Sequence, residues 1–204
     1  MGGSTAPTVL PLFPLHAVVF PSGRMPLQIF ESRYTQLIKN CIRDQSGFGV
    51  VRIVQGDEVR KAGDAAMPVT ATIGTRVQIA DWFSLEHGML GVVVEGRDCF
   101  DVLAQRPAPD GLLMAEVRYR SASSVALDDS DHDTLLSLWQ DLRRHPQLQE
   151  LGYPLLPETD AALLGSLLQV LPMPEADRDA LLGAFGRIEC HERIKRWLQE
   201  QGIV

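Results

Sequence analysis

The sequence contains no Gly-Lys pair anywhere, and therefore no G-x-x-x-x-G-K-[ST] loop whose amides and lysine would cradle and neutralise phosphates. P-loop ATP hydrolysis is excluded. It also lacks a G-x-S-x-G elbow to present a hydrolase nucleophile, so no catalytic residue is assigned and no enzymatic activity is expected. Cysteine is scarce: Cys41, Cys99 and Cys190 are widely spaced and odd in number, which rules out a fully paired disulfide framework and leaves reduced, partly buried thiols. Positive charge is short as well. A formal net charge of −7 opposes the counterion release from which nucleic-acid binding draws much of its affinity. No apolar run reaches the roughly 18 residues a membrane-spanning helix needs. The amino-terminal MGGSTAPT has neither the basic nor the hydrophobic region of a secretory signal. With Ala6 where Ser or Thr is required, it also misses the myristoylation pattern. The expected protein is cytoplasmic, without membrane attachment and without a cofactor.

Metal-ligand patterns are incomplete too. His191-Glu192 begins an H-E-x-x-H pair, but the fifth position is Lys195, so a helix-surface position is expected for His191. Asp129, Asp131 and Asp133 mimic half of a calcium loop, whose turn glycine is replaced by Thr134 and whose bidentate Glu by Gln140. Asp131 or Asp133 instead reads as the cap of the helix that follows. The histidines at 16, 87, 132, 145 and 191 are scattered, and no metal site is assigned.

What is present is an ordinary globular composition, 45% hydrophobic and 22% charged, in a chain long enough to bury about 70% of its unfolded surface. The stretch Val9 to Tyr34 puts a proline-punctuated apolar run, a Pro21-Ser22-Gly23 turn and a second apolar run directly before a helix. Pro11 and Pro14 remove two backbone donors, which predicts a sheet edge or irregular chain for the first run. Phe30, Tyr34, Leu37, Ile38, Cys41 and Ile42 then recur at steps of three and four, predicting a buried helical stripe that ends between Asp44 and Gly47. Phe48 to Val54 reads as a strand, residues 57–68 as a loop, and Val69 to Phe83 as the clearest strand. In that last strand Val77, Ile79 and Phe83 share one face, and Arg76, Gln78, Ala80 and Trp82 the other. Met89 to Val94, a Gly96-Arg97-Asp98 turn and Phe100 to Gln105 suggest a hairpin. Leu113, Ala115, Val117 and Tyr119 alternate as a final strand. Composition then shifts to Ser, Ala and Asp, and all later periodicity is helical: Leu135, Leu138, Trp139 and Leu142; Leu164, Leu167, Leu168 and Leu171; and Ile188, Ile194, Trp197 and Leu198. Strands followed by helices predict an α+β chain with a flexible lead over 1–8, a β-rich part over 9–120, a linker over 121–133 and a helical bundle over 134–204.

Three segments, LPLFPL, VVFPSGRMPLQIFESRY and GTRVQI, together with Leu181-Leu182 and Glu192-Arg193-Ile194 in the tail, resemble the amino-terminal substrate-binding domain of Lon proteases. The resemblance covers nearly the whole chain. It implies a PUA-like β pseudo-barrel with one early helix, followed by a carboxy-terminal α-helical bundle, and a role in binding peptides. In this reading the chain is a stand-alone domain, because the Lon ATPase loop is missing and the sequence ends before a peptidase module would begin. Two departures stand out. Cys99 occupies the place of an Arg before Phe100, for which Arg97 is the available substitute, and Gly183 replaces a Glu and with Gly186 is expected to break a helical segment.

Candidate peptide-binding residues are Phe30, Arg33, Tyr34, Arg76, Gln78 and Trp82. Arg33 belongs to the best-matching block and would orient a bound peptide. Glu31 favours the helix dipole. Trp82 and Phe83 are adjacent on a strand and point oppositely, so one of them needs a second cover, either the carboxy-terminal helices or an apolar segment of a partner. The expected partner is unfolded polypeptide or another protein, bound non-covalently by strand pairing or in an aromatic groove, with an adaptor or sequestering role by analogy to Lon. Two alternatives stay open: an RNA-binding PUA-like module, and a small-molecule enzyme whose pocket the sequence does not reveal.

Overall fold

The first apolar run forms strand β1 (Thr8–Leu15), and it is not at an edge. Its amino-terminal half pairs antiparallel with β6 (Leu113–Tyr119) and its carboxy-terminal half pairs parallel with β3 (Phe48–Gln55); the two ladders overlap only at Leu12. Each proline therefore falls where β1 has a neighbour on one side only, so its missing N–H need not interrupt a ladder. The computed structural model describes residues 6–58, 67–85, 89–121 and 126–203, so most of the expected 57–68 loop and part of the expected 121–133 linker lie outside it.

The other elements are β2 (Arg24–Ile29), α1 (Ser32–Asp44), β4 (Val69–Ser84), β5 (Leu90–Pro107), α2 (Asp129–Leu142), α3 (Pro146–Glu150), α4 (Asp160–Val170), α5 (Glu175–Ala184) and α6 (Ile188–Glu200). The chain is a mixed α+β protein whose sheet order is β2-β5-β4-β3-β1-β6, with β6 pairing back onto β5. Five strands thus form a closed circuit of pairings, and β2 attaches to the outside of β5.

The hairpin expected over 89–105 is instead the single 18-residue strand β5. Gly96 to Asp98 has turn chemistry but lies in a register shift, where Thr75 opposes Cys99 and Val77 opposes Gly96. A side chain at Gly96 would collide with the Phe20 carbonyl, 2.1 Å from where a Cβ would stand, so this point of β5 is kept bare for the Phe20-Pro21 segment.

Two cores lie within the sheet part. One joins Phe13, Leu27, Ile38, Phe48, Val77, Val92 and Val94 under α1, and a smaller one gathers Leu12, Val51, Phe100 and Val117. The helices build a third, around Trp139, Leu167, Leu168 and Ile194, and the sheet part contributes Phe20 and Cys99 to it. The helices dock on the block Phe20 to Arg24 and also, through Arg52 to Asp179 and Arg120 to the Gly183 carbonyl, on β3 and the end of β6. The Gln169 side chain accepts from the Phe20 amide at 2.9 Å, and the Tyr153 hydroxyl accepts from the Arg24 amide at 2.6 Å while donating to its carbonyl at 3.2 Å. The Arg24 guanidinium donates to Glu95 and to the Leu151 and Gly152 carbonyls. The family-like FPSGR segment is therefore spent on joining the two parts.

One helix boundary differs from expectation, the start of α2. Asp128 caps α2 by accepting from the Asp131 amide at 2.8 Å, and the helix begins inside the expected linker. Asp131 is turned instead toward Lys195 at 2.6 Å and toward Nε2 of His191 at 3.2 Å, and His191 is buried rather than on the surface. The break anticipated near Gly183 and Gly186 is observed, α5 ending at Ala184 and α6 starting at Ile188.

Candidate functional site

α1 is fixed to the sheet by Tyr34, Leu37, Ile38 and Cys41, with the Tyr34 ring stacked on Phe13 at 4.0 Å between centroids. The two ends of the expected stripe do not follow it inward. Phe30 precedes the helix and is 60% exposed, and Ile42 is 42% exposed. At the helix start the Glu31 carboxylate makes no cap bond but pairs with Arg33 at 2.9 Å. Arg33 also donates to the Gly111 carbonyl at 2.8 Å and lies over the Tyr34 ring. α1 ends at Gln45, in a left-handed conformation that returns the chain to β3.

Two clefts of about 500 Å³ each flank α1 and share Cys41 and Ser46. The first runs between α1, β1 and β6 and includes Arg33, Gln36, Asn40, Arg76, Met114 and Tyr119. Arg76 is held at its rim by Asp98 at 2.7 Å and reaches over Tyr119. The second lies between the carboxy-terminal end of α1 and the distal half of β4, and includes Ile42, Gln45, Gln78, Asp81 and Trp82. Of the six candidate residues, Arg33 and Arg76 thus share the first cleft and Gln78 and Trp82 the second. Tyr34 is buried and supports the wall from beneath, and Phe30 lines neither cleft.

Trp82 is 60% exposed, and no carboxy-terminal helix covers it, since the helices gather around Phe20, Cys99 and Ile73 instead. The alternation expected along β4 also fails here. Ile79 pairs with Val94 and Asp81 with Val93, so Ala80 is an extra residue, and beyond it the faces exchange. Trp82 pairs with Val92, on the same side as Ile79 and Val94, while Phe83 turns to the other side over Gly91. Trp82 therefore extends the apolar face under α1 past its last cover.

The sequence reading missed Ile42, Gln45, Ser46 and Asp81 in the second cleft, and Gln36, Asn40 and Tyr119 in the first. Gln36 and Asn40 carried a signal, four residues apart on one helix face and bonded to each other at 3.0 Å. The Arg97 proposed to replace the family Arg pairs with Glu95 at 3.0 Å, and Cys99 itself faces the helical core. Among the described residues, no three His, Cys, Asp or Glu side chains converge into a metal site, and no helix is long and apolar enough to cross a membrane.

The family described as the ATP-dependent protease La (LON) substrate-binding domain matches residues 9–199. The chain belongs to this Lon domain family. It is 30% identical over 124 residues to a Lon protease of Anaeromyxobacter dehalogenans and to Lon protease 2 of Myxococcus xanthus, a stretch covering 60% of this chain. It spans only 13% and 14% of those relatives' lengths. Among solved structures, a Lon N-terminal domain protein from Xanthomonas campestris is similar with a TM-score of 0.68 and 30% identity over 93% of this chain and 98% of that one. The N-terminal domain of a Mycobacterium avium complex Lon protease, at 14% identity and a TM-score of 0.57 over 94% and 97%, shares the fold.

Proposed function

We propose that this Lon domain binds exposed apolar segments of unfolded polypeptide, non-covalently, at the second cleft and the adjoining stretch of β4, and that it acts in the cytoplasm as an adaptor or sequestering factor without chemistry of its own. The observation that carries the reading is Trp82, a large aromatic left 60% exposed beside Ile42 in a cleft of about 500 Å³, a volume in the range of ligand sites. The family's description as a substrate-binding domain supports it. In the same reading, the closed circuit of strands is the PUA-like pseudo-barrel, with the helical bundle as a separate unit docked on it.

The test is titration with an unfolded polypeptide and, separately, with single-stranded RNA, following tryptophan fluorescence. Trp139 is fully buried and the half-buried Trp197 lines a different cleft, so a response to ligand at this site is expected to come chiefly from Trp82. Saturation by polypeptide alone is expected, and Trp82→Ala, which removes the reporting indole and is therefore followed by the anisotropy of a labelled polypeptide, should weaken binding at least about fivefold, as loss of an aromatic anchor at a contact does. Because the side chain is exposed, the same substitution should shift stability by no more than about 0.5 kcal/mol. Response to RNA alone, or to neither, overturns the reading.

A further inference from the structure

β4 has neighbours on both sides only as far as Val77. The β3 ladder stops at the pair Phe48 and Val77, and among the described residues only β5 runs alongside from Gln78 to Ser84. The opposite flank of that stretch is an unpaired backbone edge bordering the second cleft. Alternation determines which groups it presents. The Leu85 amide donates to the Met89 carbonyl at 2.8 Å, toward the β5 side, and the register from Asp81 to Ser84 is unbroken. The amides of Trp82 and Ser84 therefore point away from β5.

The Trp82 amide is already engaged. Oδ1 of Asp81 accepts from it at 2.8 Å, so a side chain of the strand itself stands where the carbonyl of an added strand would dock. Such an arrangement protects an open edge from indiscriminate pairing. It is also reversible, because Asp81 is exposed and its carboxylate can rotate away.

We propose that Asp81 is a displaceable guard of a strand-addition site on β4, and that the segment admitted is an extended apolar stretch carrying a Lys or Arg beside it. This rests on the polypeptide-binding reading above and specifies the ligand. An unpaired edge offers main-chain donors and acceptors that an extended chain satisfies. Trp82 and Ile42 supply apolar contact on the cleft walls. When an incoming carbonyl takes the Trp82 amide, the Asp81 carboxylate loses its hydrogen bond, and a cation on the arriving chain restores a partner. Asp81 is the one charged side chain among the described residues lining this cleft, so no local cation competes for it. An acidic segment would meet like charge there, and the chain's net charge of −7 acts in the same direction.

The experiment measures fluorescence anisotropy of labelled synthetic peptides sharing one apolar core flanked by Lys, by Ser or by Glu, together with the Lys peptide N-methylated at alternate residues. Wild type is expected to bind the Lys peptide about five- to tenfold tighter than the Glu peptide. Asp81→Asn should abolish that preference, and Asp81→Ala, by freeing the edge amide, should also tighten the Ser peptide about threefold. N-methylation is made separately on each of the two alternating sets of residues; it should abolish binding for the set whose donors face β4 and be tolerated for the other. Both variants are expected to melt as wild type does, the position being exposed. A Lys preference surviving in both variants, or tolerance of N-methylation at both alternating sets, overturns the proposal while leaving polypeptide binding intact. If no peptide binds the wild type, the functional reading falls and this inference with it.

Discussion

Cys99 on β5 and Cys190 on α6 both face the core between sheet and helices, and burial pushes each thiol up to about 12. Burial raises Cys41 as well. Since the thiolate is the reactive form, none of the three should react with a disulfide reagent at pH 8 while the protein is folded, and all three should react once denaturant is added; the colour released on labelling counts them directly. Asp160 behaves in the opposite sense. Partial burial opposes its ionisation, but the Leu127 amide and the His132 ring, bonded to its two oxygens at 2.9 and 2.8 Å, hold its carboxyl below the usual range. A carboxyl lowered by folding contributes stability that is complete above its unfolded value, near pH 4, and fades as pH falls through the folded one. Asp160→Asn should therefore lower stability at pH 7 by about 1 kcal/mol and remove part of the acid-induced loss, as denaturant midpoints compared at pH 7 and pH 3 would show.

Among the elements, α4 packs directly on the Phe20 to Arg24 segment at Gly165. A Cβ at Gly165 would stand 1.8 Å from the Pro21 carbonyl oxygen, which is backbone and not free to move aside. Alanine would add about 1 kcal/mol of helix propensity, but forcing α4 away costs about 1–3 kcal/mol or more, so the clash prevails. Gly165→Ala should lower the melting temperature by several degrees in a thermal scan. α1, α2 and α6 were legible from their apolar steps, because each packs one stripe on a single core, and α4 was legible from its leucines although it is buried all along Leu163 to Leu168. β6 was legible from alternation, β4 from alternation as far as Ile79, and β3 from a short apolar run closed by Gln55-Gly56-Asp57. α3 was not, since none of its residues is buried and no pattern marks it. β5 was divided in two because Gly96-Arg97-Asp98 carries local turn chemistry, while the reason it stays a strand is Phe20, more than 70 positions away in the chain. The site suffered likewise: Arg33 was visible through family resemblance, but the face of Trp82 depended on one extra residue at Ala80, and bulges leave no reliable mark in an alternating run.

At the scale of the molecule, sheet and helices are joined by a shared core around Phe20 and Cys99 and by polar links that include Arg52 to Asp179, Arg120 to the Gly183 carbonyl and the Arg24 cluster. Arg24 alone links Glu95 on β5 to the loop carbonyls of Leu151 and Gly152, and Tyr153 holds its backbone. Arg24→Ala leaves the Glu95 carboxylate without that partner and removes the bonds to the loop, at a cost of about 3 kcal/mol, as for one side of a partly buried pair. The expected outcome is loss of a single cooperative transition, with amides of α2 to α6 exchanging with deuterium faster than those of β3 to β5.

The strand circuit also sets an order of events during synthesis. Thr8 finds its partner in Val117, so the ring cannot shut until β6 has left the ribosome, more than a hundred residues after β1. Until then the amino-terminal half of β1 has no neighbour at all, and a nascent chain stalled before Leu113 would expose the very kind of segment that this domain is proposed to grip.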